Sequence, residues 1–99
     1  MKELFLKNWM TRKYGLNETI SKHYAKAIHK ISAHYSLNNN INVDLYSLKS
    51  TEVIKEILKD YKSSGQYAEF NHSYHNLFSA ALDMFCIYKS DNFKLKITT

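Results

Sequence analysis

The residues of this chain that could do chemistry are five histidines, fourteen lysines and arginines, and eight tyrosines, and their spacing limits what that chemistry is. His72 and His75 stand three apart, about one helical turn, so two imidazoles could chelate a metal there if a third ligand joined them. No cysteine lies nearby, and Glu69 or Asp83 would have to close the site. Surface or hydrogen-bonding histidines are the simpler reading, and no metal or other cofactor is expected. Nucleophilic or acid–base catalysis needs a nucleophile held beside its base in a cleft, which a bundle of short helices seldom encloses. The chain has no nucleophile elbow, glycine-rich phosphate loop or paired-carboxylate motif. It is expected to act by binding and not to be an enzyme on its own.

The net charge of +5 is unevenly placed. Lys2, Lys7, Arg12, Lys13, Lys22, Lys26 and Lys30 face only Glu3 and Glu18 in the first 35 residues, while the remainder is balanced. Such asymmetry suits a polyanion, nucleic acid before an acidic protein or a membrane surface, although solubility alone would also account for it. Lysine, serine, asparagine and histidine are the side chains that reach phosphates and base edges. The candidate contacts are therefore Arg12 and Lys13, then Ser21, Lys22, Lys26 and Lys30, and a second polar group of His72, His75, Asn76 and Ser79 beside Asn71 and Ser73. Most of the tyrosines (Tyr24, Tyr35, Tyr61, Tyr74, Tyr88) fall in phase with Ile and Leu, which makes them core residues before base-stacking ones.

Helices must position these groups. Two glycines and no proline disfavour a hairpin-rich architecture, and 99 residues make one domain. Leu6, Trp9 and Met10, widened by Leu4 and Phe5, predict a short amphipathic helix ended at Gly15, with Asn17 as the next N-cap. Ile20, Tyr24, Ala27, Ile28, Ile31 and Tyr35 predict a second helix of four turns, stopped by Asn38, Asn39 and Asn40. Ile41, Val43 and Leu45 alternate as an extended connection laid over the bundle. Ser47 or Ser50 caps a third helix whose stripe is Val53, Ile54, Ile57, Leu58 and Tyr61, with charges of mixed sign outside. After a break at Ser63, Ser64 and Gly65, and a short turn over Tyr67 to Phe70, a last helix carries Tyr74, Leu77, Phe78, Ala81, Leu82, Phe85 and Tyr88. The expectation is an all-α, compact bundle of four to five short helices over residues 1–91, with 92–99 as a tail in which Phe93, Leu95 and Ile97 alternate like an extended arm or a frayed end.

The lone Cys86 sits in an apolar run and has no disulfide partner, no stretch approaches a membrane span, and no cleavage-site motif follows the N-terminus, so a cytoplasmic, reducing compartment is expected.

The stretch from Phe5 to Ile31 (FLKNWMTRKYGLNETISKHYAKAIHKI) has a short helix, a Gly-Leu turn, a polar cap with Thr-Ile and a helix bearing Tyr24. With a third helix over Ser50 to Tyr61 and Asn76-Leu77-Phe78-Ser79-Ala80-Ala81-Leu82 as a closing helix, it resembles the helical, SAM-like core-binding domain of tyrosine recombinases and phage integrases. Phe70-Asn71 followed by His75 to Leu82 is similar to the variant of that module at the N-terminus of bacterial restriction proteins. Recombination chemistry in that family uses two arginines, and this chain has only Arg12. The resemblance implies double-stranded DNA as partner, a nuclease or other effector as associate, and no membrane. It also implies that the second and fourth helices face the major groove, with Lys22 and Lys26 on phosphates and His72, His75, Asn76 and Ser79 near phosphates or bases. The rival expectation is a protein-interaction or homodimerisation module anchored by Trp9, Phe93 and Tyr67.

Overall fold

The first helix of the computed structural model, α1 (Lys2–Lys13), buries Leu6 and Met10, one turn apart. The structure describes residues 2–62 and 64–98, with side chains as far as Asp91. Leu4 and Phe5, expected to widen the buried stripe of α1, are instead 47% and 54% exposed. Gly15, at φ 63°, takes the left-handed conformation that ends the helix, and the N–H groups of Tyr14 and Leu16 both return to the Met10 carbonyl.

Asn17 then opens α2 (Glu18–Asn39): its Oδ1 accepts the Ile20 N–H at 2.9 Å. The inward face of α2 holds Ser21, Ala25, Ala27, Ile28, Ile31 and Ser32, while Ile20 is exposed and Tyr24 and Tyr35 are half-buried. Small residues on that face let α1 and α5 pack against α2. The asparagine run does not stop the helix where expected. Asn38 and Asn39 stay helical, each donating its Nδ2 to the carbonyl four residues back at 2.8 Å, and only Asn40, left-handed at φ 53°, closes it.

A 3₁₀ turn (Leu45–Ser47) follows, capped by Asp44. Of the alternating trio only Leu45 reaches the core, Val43 being half-buried and Ile41 exposed; the next residue, Tyr46, is also buried and donates its hydroxyl to the Ala25 carbonyl at 2.7 Å. α3 (Thr51–Tyr61) begins after Ser50 and buries Ile54, Ile57, Leu58 and Tyr61, with Val53 exposed. Gly65 then lies so close to the end of α3 that a Cβ there would be driven into the Lys59 and Asp60 carbonyls, so no other residue fits without moving backbone.

The turn expected over Tyr67 to Phe70 is helical and runs on into the start of the last predicted helix, which is broken after it. α4 (Ala68–Ser73) and α5 (Leu77–Thr98) are separated by His75 and Asn76, both left-handed at φ 57° and 61°. Tyr74, expected in the core, is thereby turned out to 46% exposure, whereas Phe78, Ala81, Leu82 and Phe85 are buried. α5 continues through Thr98, so the backbone of the expected tail is helical rather than an extended arm. Ser63 and the side chains of Phe93, Leu95 and Ile97 lie outside the described residues. The result is an all-α bundle of five helices with no strand among the described residues, and its 13.2 Å radius of gyration is that of a compact domain of this length, about 13 Å.

Candidate functional site

Lys22, Lys26 and Lys30 recur every four residues, so α2 presents them as one exposed row. The first two enter an open groove of about 600 Å³ between α1 and α2, together with Lys7, His23, the carboxylates Glu3 and Glu18, and the aliphatic walls Leu4 and Ala25. Lys7 was not among the sequence candidates; it lies one turn before the half-buried Thr11 and only the pairing of α1 with α2 brings it to the groove. Its ammonium sits 2.7 Å from the Glu18 carboxylate. That hydrogen bond, then the Lys7 charge, and to a lesser degree Lys22, hold the Glu18 carboxyl below its ordinary range. Lys7 and Glu18 therefore cancel, and the positive excess of the groove comes from Lys22 and Lys26 set against Glu3, neither lysine being in an ion pair among the described residues. An anion entering the groove would meet two ammonium groups that no carboxylate among the described residues approaches within ion-pair distance.

The other expected contacts fall in several places. Arg12 and Lys13 are exposed in the last turn of α1, where the helix dipole favours cations. Lys30 approaches the exposed ring of Tyr74, its Nζ 6.0 Å from the centroid, which ties the α2 row to the segment between α4 and α5. His72, Asn76 and Ser79 line a second depression, about 640 Å³, with Lys62, Glu69 and Tyr61. His75 is exposed on the left-handed bend beside it. The two depressions have different linings, so the sequence candidates form two patches, joined at one edge by Lys30 and Tyr74.

Ser21 corrects the expectation outright. It is 0% exposed, on the inward face of α2, and cannot meet a ligand on the basic row. The reason is angular: it precedes Lys22 by 100° of helix rotation and shares its face with Ala25, Ile28 and Ser32. Its hydroxyl has no hydrogen-bond partner among the described residues. A buried hydroxyl without a partner has lost water and gained nothing, so Ser21→Ala is expected to raise stability by about 1 kcal/mol in denaturant unfolding. A loss of stability of that size would mean that the hydroxyl is bonded in solution.

Ser79 also has a structural use. Its Oγ accepts from Asn71 Nδ2 at 3.0 Å and donates to the Asn76 carbonyl at 3.1 Å. Asn71, 3% exposed, further donates to the Tyr61 carbonyl at 2.8 Å and accepts the N–H groups of Phe78 and Ser79 at 3.0 and 3.1 Å. It caps α5 from α4 and holds both to α3, which makes it the support of the second depression.

Two of the residues named as interface anchors, Trp9 and Tyr67, are engaged within the fold. Trp9 donates its Nε1 to Asp91 at 3.3 Å and packs edge-on against Tyr88, and the Tyr67 hydroxyl accepts from Asn39 at 2.8 Å. Burial pushes the half-buried Cys86 thiol up, with Asp83 adding to the shift. Among the described residues no group of three or more His, Cys, Asp or Glu side chains could hold a metal ion, and no helix is long and apolar enough to cross a membrane. No known protein-family model matches the chain, and comparisons with curated proteins and with solved structures give no match.

Proposed function

We propose that this domain binds double-stranded DNA as a small targeting module of a restriction or mobile-element system, non-catalytic by itself and working with a nuclease or other effector. The observation that carries the reading is the exposed row Lys22, Lys26 and Lys30, with its first two members at the mouth of the α1–α2 groove and in no ion pair among the described residues. The likeness in order and motif to the integrase core-binding module supports it. In this reading Lys22 and Lys26 take phosphates, Arg12, Lys13 and Lys30 extend the positive field, and His72, His75, Asn76 and Ser79 lie near phosphates or bases. Anisotropy of a labelled duplex, titrated at several salt concentrations, tests it: the logarithm of the binding constant should fall linearly with the logarithm of salt. Failure to bind at low salt overturns it.

The exposed Leu4 and Phe5 favour a second reading, a protein-interaction or dimerisation surface on α1. Sedimentation with and without duplex separates the two, because a dimer that leaves the duplex untouched belongs to the second.

A further inference from the structure

The aromatic cluster where α2, α3 and α4 meet is built around one titratable side chain. The half-buried His34 ring lies flat on Phe70, centroids 3.9 Å apart and planes 4° from parallel, and the ring of Tyr67 meets it edge-on at 4.9 Å. Its Nδ1 is 2.7 Å from the hydroxyl of Tyr61, a residue with no exposed surface. Burial pushes the Tyr61 hydroxyl far above its ordinary range, so it keeps its proton and can donate it to an unprotonated Nδ1. The hydrogen bond therefore favours the neutral imidazole with its own proton on Nε2.

The groups around His34 offer an imidazolium little support. From α3 it faces Tyr61; Asp60 on the same helix acts on the Tyr35 hydroxyl, whose pKa it raises after burial. From the α4 side it faces Tyr67 and Phe70, while Glu69 and His72 are exposed. On α2 itself Lys30 is directed over Tyr74, and Asn38 donates to the His34 carbonyl. Attraction between an imidazolium and the Phe70 face offsets part of the cost of charging the ring, not the loss of the acceptor.

We propose that His34 is an acid-operated latch: a proton taken from solvent at Nδ1 ends its acceptance of the Tyr61 hydrogen bond and undocks α4 from α2 and α3. α4 has six residues, too few to persist without tertiary contacts, and Phe70 and Tyr67 are the side chains by which it grips His34. The Tyr61 carbonyl also receives the Asn71 amide, so a shift of α4 reaches the bend at His75 and Asn76 and the second depression. Nothing in this inference requires that the ligand be DNA.

The sign follows from burial, which holds the His34 imidazole below the ordinary histidine range. The stability gained by keeping it neutral is fully present above the unfolded value, about 6.5. It is lost as pH falls through that value toward the lower folded one, because there the unfolded chain binds the extra proton.

The test is a pH titration of the whole chain by nuclear magnetic resonance, without nucleic acid, following the five imidazoles and the amides of residues 66–76. His34 should titrate below the ordinary histidine range, and the α4 amides should move with its midpoint, their pH-corrected hydrogen exchange quickening roughly tenfold across it. Tyr61→Phe removes the donor to Nδ1, so the His34 midpoint and the α4 response should rise together. In His34→Phe, which keeps the stack, the α4 response should vanish. A His34 titration with silent α4 amides in the unaltered protein overturns the proposal, even if neither variant folds. So does an α4 response that survives in His34→Phe.

Discussion

Replacing Asn71 by alanine should lower the stability of this domain by about 3 kcal/mol and its thermal midpoint by about 15 °C. The amide is buried and works in both directions. Its Nδ2 donates to the Tyr61 carbonyl and to Ser79 Oγ, and its Oδ1 accepts two N–H groups from the first turn of α5. Alanine would leave the Tyr61 carbonyl without that amide donor, remove the only side-chain cap described at the start of α5, and open a small void among Tyr61, Phe78 and the α4 backbone. Ser79→Ala is the useful contrast. It removes one spoke of the same hub at a half-exposed position where water can replace the partner, so it should cost no more than about 1 kcal/mol. Denaturant unfolding of the two variants checks this, and equal losses would mean that Asn71 is not the hub its geometry describes. A stability near 5–15 kcal/mol is usual for a domain, so the first substitution should leave the protein folded but visibly weakened at room temperature.

Asn71 also shows where sequence reading reached its limit. The sequence offers it as polar surface at the start of a helix, yet it stands three and seven residues before Tyr74 and Phe78 and shares their helical phase. A polar residue inside an aromatic run is a signal of a buried hydrogen-bonding group, and that signal was present. The split of the final helix left a weaker trace. His75 and Asn76 take the left-handed conformation without a glycine between them, and asparagine and histidine are among the few residues that tolerate it. The helical period resumes after them almost in step, so the two helices read as one. At α2 the difficulty was angular: a face drawn from large apolar residues overlooked Ser21, Ala25 and Ser32, which are small and polar or neutral but sit where α1 and α5 approach. The basic row was legible because lysines four apart on a long helix share a side whatever the exact rotation. Lys7 and its pairing with Glu18 were not, since they depend on a contact between helices that no local pattern encodes.

The charge-reversed pair Lys22→Glu with Lys26→Glu should weaken binding to duplex DNA roughly a hundredfold at low salt, because two attractions become two repulsions at the same positions. If each lysine displaces one counterion, the slope of log affinity against log salt should also become shallower by about 1.8. Both residues are exposed and unpaired among the described residues, so the fold should tolerate the change within about 0.5 kcal/mol. The indispensable control is Lys55→Glu with Lys59→Glu on α3, which changes the net charge equally on a face where each lysine already has a glutamate one turn away. If the α3 pair weakens binding as much, affinity follows overall charge and the α2 row has no special place. If neither pair changes the slope, the ligand is not held through phosphates. The separation of the two effects matters because Glu18 sits at the same groove: in the α2 variant it loses Lys22 but keeps the hydrogen bond from Lys7 that chiefly sets its acidity. Its carboxyl should therefore rise only part of the way to an ordinary value. The glutamate placed at position 22 adds repulsion to that rise, so loss of the Lys7 contact is checked separately, by the far-ultraviolet circular dichroism and unfolding of the variant.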